Sequence, residues 1–95
     1  MRSMSAKRRR QLAERTRVRE QVIARDQTCV ARTVITEIAC GFLPERPGLE
    51  VDEIRGGSYR CTEWLQPERC RLLCPAHHDF ATDNKREFNR RMGVV

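Results

Sequence analysis

Apolar side chains are widely spaced over the first twenty-six residues. The run SAKRRRQLAERTRVREQVIARD, from Ser5 to Asp26, has no Gly or Pro, and Leu12, Val18, Val22 and Ile23 form one thin apolar stripe. This predicts a helix with Ser5 as N-cap and most of its surface in water. From Thr28 the pattern changes. A β-branched run, Val34 to Ile38, alternates Val34, Thr36 and Ile38 against Ile35 and Glu37, which predicts a strand, with helix as the alternative. Pro44, Pro47 and Gly48 mark a loop. LEVDEI is the best strand candidate: Leu49, Val51 and the stem of Glu53 share one side, and Glu50, Asp52 and Ile54 the other. RGGS turns the chain, and YRCTEWLQPE reads as a loop anchored by Trp64. CRLLC, Cys70 to Cys74, is a short second strand. Pro75 suits the first position of a helix carrying His77 and His78. Thr82 to Asn84 interrupts it, and a last helix runs to Met92, with Gly93 as its stop.

These elements divide the 95 residues into a basic helical arm, 1–27, and one small domain, 28–95. With three Phe, one Tyr and one Trp, the core is too small to rely on burial alone, and a metal, disulfide or partner is expected to supplement it. No apolar run reaches the length of a membrane span or follows the basic N-terminus as a secretory segment, so a reducing cytoplasmic location is expected. There the five cysteines, at 29, 40, 61, 70 and 74, point to metal rather than disulfides. Charge is divided unevenly. Residues 1–25 hold nine Arg or Lys against Glu14 and Glu20, a balance of +7, while the remaining seventy balance at −1. The excess makes Lys7, Arg8, Arg9, Arg10, Arg15, Arg17 and Arg19 candidates for gripping a phosphate backbone.

Cys29 with Cys40, and Cys74 with His77, have spacings that suit a structural Zn²⁺ site. Cys-x2-His is the stronger pair. The first pair has ten intervening residues, which a β-hairpin could close. Cys61 and Cys70 compete as ligands. On a regular strand Cys70 faces the same side as Cys74, or else it packs as a small buried hydrophobe. His78 competes with His77, but neighbours at a helix start diverge by about 100°, so one ion takes only one of them. Cys40-Gly41 can form a tight turn whose backbone N–H groups face a thiolate.

LEVDEIRGGS followed by LQPERCRLLCPAHHD resembles the HNH endonucleases, particularly the small zinc-containing members common in bacteriophages and prophages. The resemblance covers about Cys29 to Thr82. It implies an α+β, zinc-stapled ββα-metal (HNH, or His-Me finger) fold behind the basic helix, hydrolysing DNA phosphodiesters with one divalent ion such as Mg²⁺ or Mn²⁺. By the same resemblance Cys29, Cys40, Cys74 and His77 hold the structural zinc, Asp52 and His78 hold the catalytic ion, and DNA and phage packaging proteins are the partners, in a bacterial host cell. Glu53 stands where the motif has its general-base His, and Arg69 where it has Asn. Glutamate, with a reference pKa about two units below that of imidazole, is a weaker base, so Glu53 as a catalytic residue implies a slower enzyme. The alternative is a catalytically inactive zinc module that binds DNA or a protein partner.

Overall fold

Helix α1 spans Ala6–Asp26 in a computed structural model that describes residues 5–55 and 66–94. The turn at Gly56-Gly57 and the loop with Cys61 and Trp64 lie outside the described residues. Ser5 caps α1 as expected, its hydroxyl accepting the Arg8 N–H at 3.1 Å. Gln27 ends it in a left-handed conformation, φ 62°, and returns its N–H to the Ile23 carbonyl. In the apolar stripe Val18 and Val22 are buried, whereas Leu12 and Ile23 stay exposed.

Strands β1 (Glu50–Glu53) and β2 (Cys70–Leu73) form an antiparallel pair in which Glu50 faces Leu73, Val51 faces Leu72, Asp52 faces Arg71 and Glu53 faces Cys70. A 3₁₀ turn over Pro67–Arg69 leads into β2. Helix α2 (Pro75–Asp83) follows β2 directly, and α3 (Lys85–Arg91) begins after the break at Asn84. Gly93, at φ 80°, lies just past the end of α3. The α+β class and a strand–strand–helix order are therefore present.

The two-stranded sheet separates two small cores. On one face Cys70 and Leu72 pack with Val18 and Val22 of α1, and Val51 joins them. On the other, Leu73 meets Cys29, Ala31, Ile35, Cys74, Ala81 and Phe88. The boundary expected at residue 27 falls inside this packed unit. The Asp26 carboxylate accepts the Leu72 N–H at 3.0 Å, and Val30 donates to the Leu72 carbonyl at 3.0 Å. Arg25 donates to the carbonyls of Pro67 and Cys70 at 2.9 and 2.7 Å. The C-terminal part of α1 thus belongs to the fold, because Val18 and Val22, one turn apart, cover β2.

The strand expected at Val34 to Ile38 does not form, and no hairpin joins Cys29 to Cys40. Consecutive turns run through the segment: Arg32 donates to Cys29, and both Val34 and Ile35 donate to Ala31. These local bonds satisfy the backbone without a partner strand and send Ile35 into the core while Val34 stays exposed. Valine truncation distinguishes docked from solvated positions on α1. Val22→Ala should cost about 2 kcal/mol of unfolding free energy, whereas Ile23→Ala should stay within about 0.5 kcal/mol of the parent. Denaturant titration of the metal-loaded chain measures both; equal effects would mean that α1 is not docked.

Candidate metal centre

The cluster of Cys29, Cys40, Cys74 and His77 is drawn from three separate segments, with all four ligand atoms within 4.8 Å of one another. The His77 Nδ1 lies 3.6, 3.7 and 3.1 Å from the sulfurs of Cys29, Cys40 and Cys74. A tetrahedral ion with Zn–S of about 2.3 Å and Zn–N of about 2.0 Å separates nitrogen from sulfur by roughly 3.5 Å. Donor set and spacing therefore fit, and the cluster could hold a metal ion such as zinc. His77 is fully buried, and its Nε2 donates to the Ile35 carbonyl at 2.9 Å. Because a carbonyl only accepts, the proton sits on Nε2 and the Nδ1 lone pair faces the thiols. Ile35 thereby supplies both core packing and ligand orientation.

Three sulfurs at this spacing cannot all ionise without a cation between them. Burial pushes the Cys40 thiol up to about 12, helped by its contacts with Cys74 and Cys29. Burial also opposes ionisation of Cys74, but the His77 and Gly41 backbone groups outweigh it, leaving this thiol lowered to about 7. Cys74 is the N-cap of α2, its sulfur accepting the His77 N–H at 3.4 Å. No turn forms at Cys40-Gly41, yet the Gly41 backbone does face a thiol, that of Cys74. Cys70 takes no part. β2 stops at Leu73, so Cys70 and Cys74 do not share a strand face, and Cys70 packs with α1 as a hydrophobe.

One residue beyond His77, the next side chain of α2 turns toward β1. His78 places its Nε2 3.4 Å from Asp52 Oδ1 and its Nδ1 2.8 Å from Glu50 Oε1. Arg46 grips Glu50 through two bonds, 2.5 and 2.9 Å, and reaches Asp79 of α2 at 2.9 Å. A line Arg46–Glu50–His78–Asp52 results. Asp52 is buried, with Arg71 Nε at 2.8 Å and Lys85 Nζ at 3.1 Å. Burial pushes the Asp52 carboxyl upward, but His78, Arg71 and Lys85 more than reverse this and hold it ionised. The Asp52 carboxylate in turn raises His78 against burial, with Glu50 adding to the effect.

Glu53 is not part of this group. Alternation along β1 puts Glu50 and Asp52 on the His78 face and turns Glu53, opposite Cys70, toward the α1 face. Alternation therefore sets Glu53 apart from the Asp52–His78 pair, beside which a general base was expected. Glu50 is the residue sequence reasoning missed. The available signal was the period of two, which sets Glu50 beside Asp52. Lys7, Arg8, Arg9, Arg10, Arg15, Arg17 and Arg19 all lie exposed on α1, but they do not act as one surface. Arg15 and Arg19 line a groove of about 570 Å³ between α1 and residues 45–51 that ends at His78. Arg8 continues the same flank by helical spacing, whereas Arg9, Arg10 and Arg17 point away from it.

Metal binding at the four-donor cluster should release protons and strengthen with pH. At pH 6 Cys74, at about 7, is still largely protonated, and Cys40, at about 12, must lose its proton to bind at any working pH. Cobalt(II) affinity, read from the thiolate-to-cobalt absorption, should therefore rise from pH 6 to pH 8. His77→Ala should weaken it by about tenfold or more while His77→Cys preserves it. A pH-independent affinity would show that these thiols are not the ligands.

Compared with known proteins, the chain matches no family model, no curated protein and no solved structure.

Proposed function

We propose that the chain is a zinc-stapled, HNH-type endonuclease that hydrolyses DNA phosphodiester bonds with one divalent ion. The observation that carries this reading is the approach of Asp52 Oδ1 and His78 Nε2, 3.4 Å apart, with Glu50 behind the imidazole. A carboxylate and an imidazole at that spacing suit neighbouring ligands of one ion, and a carboxylate on the far ring nitrogen is the usual way a ligating histidine is oriented. Arg46 holds Glu50 in turn, so the ring is fixed from behind by two residues rather than one. When bound, the ion supplies Lewis acidity at the scissile phosphate and the leaving oxygen. Asp52 and His78 hold it, and Arg15 and Arg19 along the adjoining groove hold backbone phosphates. Glu53 points away from this pair, so the reading assigns it no proton transfer and expects a slow enzyme.

A second reading, a zinc module that binds DNA without cutting it, is favoured by one specific observation. Arg71 and Lys85 already neutralise Asp52, so the carboxylate needs no further cation for stability.

A plasmid nicking assay on the zinc-loaded chain separates the two. With Mg²⁺, Mn²⁺ or Ni²⁺ supplied, nicking should be lost in Asp52→Asn and His78→Ala and should fall about 10–100-fold in Glu50→Gln. Glu53→Gln should nick as the parent does. Arg15→Glu with Arg19→Glu should weaken DNA binding and reduce its salt dependence. Salt-sensitive DNA binding without nicking under any ion would establish the second reading and retire the first.

A further inference from the structure

Lys85 sits where a cation is wanted. Its ammonium lies 3.1 Å from Asp52 Oδ1, 3.5 Å from Asp52 Oδ2 and 3.0 Å from the Glu53 carbonyl. Oδ1 is also the oxygen nearest His78 Nε2. We infer that Lys85 is a resident cation of the Asp52–His78 seat, and that a divalent ion enters only as the Lys85 ammonium leaves. This inference rests on the endonuclease reading of the same site and specifies what controls its occupancy.

Charge makes the two occupants exclusive. Glu50, Asp52 and Asp79 already face Arg46, Arg71 and Lys85, so the neighbourhood is balanced before any ion arrives. Adding a divalent charge at Oδ1 with an ammonium 3.1 Å away sets like charges against each other in a half-buried site, where screening is weak. One cation has to move. Arg71 cannot: its side chain is 5% exposed, its Nε is bonded to Asp52, and its guanidinium lies 4.6 Å over the Phe88 ring. Lys85 can, since its side chain is 28% exposed and it is the first residue of α3, next to the break at Asn84. Departure also frees the Glu53 carbonyl, while Asn89 keeps α3 tied to the residue just after β1 through the Ile54 carbonyl at 2.9 Å. The helix therefore stays in place while its first side chain swings out.

The chain's only lysines are Lys7 and Lys85, which gives the exchange an internal reference. Lys7 is exposed in the first turn of α1. The zinc-loaded full chain is labelled briefly with acetic anhydride, with and without Mn²⁺, and acetylation at the two lysines is compared by mass spectrometry. Mn²⁺ should raise Lys85 labelling relative to Lys7. In Asp52→Asn the ratio should be high from the start and indifferent to Mn²⁺. Equilibrium Mn²⁺ binding gives the second readout: Lys85→Met should tighten it by about tenfold or more. Mn²⁺ binding that is lost in Asp52→Asn, yet equal in Lys85→Met and wild type with no change in Lys85 labelling, would overturn the inference and leave the ion site standing. Absence of Asp52-dependent Mn²⁺ binding in both wild type and Lys85→Met would overturn the inference and the endonuclease reading together. Labelling is read on the wild-type chain, so the test survives a Lys85 variant that does not fold.

Discussion

The placement of His77 is the constraint on which the remainder of the structure depends. Its Nδ1 faces three sulfurs and its Nε2 is held by the Ile35 carbonyl, so one ring joins the turns after α1, the loop after Cys40 and the start of α2. These are segments that a core whose single fully buried aromatic among the described residues is Phe88 would struggle to hold together by burial. The same placement determines the neighbouring site. With His77 directed into the cluster, His78 must emerge about 100° around the helix, and that direction meets β1. The four-donor cluster is thus structural in two senses: it closes the fold, and it aims the imidazole of the second site.

Period two in β1 does the rest. Glu50 and Asp52 share a face because they are two apart, and that face is the one α2 covers. Reading the motif linearly makes Asp52 and Glu53 a pair because they are adjacent. In a strand, adjacency means opposite faces. The carboxylate that joins Asp52 at His78 is therefore Glu50, three positions before Glu53, and it contacts the far nitrogen of the ring.

Much of this was legible from local signals. The breaker-free run with Ser5 at its head, the alternation in LEVDEI, Pro75 after Cys74, the stop at Gly93 and the four-donor set are short-range features, and the structure has them where the sequence puts them. What escaped depended on distant partners. Val34 to Ile38 has the composition of a strand, but a strand needs a neighbour. Without one, turn hydrogen bonds prevail. Cys70 and Cys74 look alike in sequence and part only because β2 ends between them. Arg46, Arg71 and Lys85 are ordinary surface residues on paper. They acquire meaning through Glu50 and Asp52, which tertiary packing brings to them across 4, 19 and 33 positions.

The bonds that Asp26 and Val30 make to Leu72 have a consequence for the sheet itself. A two-stranded ladder has two outer edges, and β2 carries the more apolar of them. With its central N–H and carbonyl taken by a helix-terminal carboxylate and a passing turn, that edge offers no register to an incoming strand. The basic helix is therefore also a guard against self-assembly. A chain clipped just after Gln27 would lose the Asp26 carboxylate and the valines beneath it, and would present Cys70 to Leu73 as a template for strand addition by its own copies.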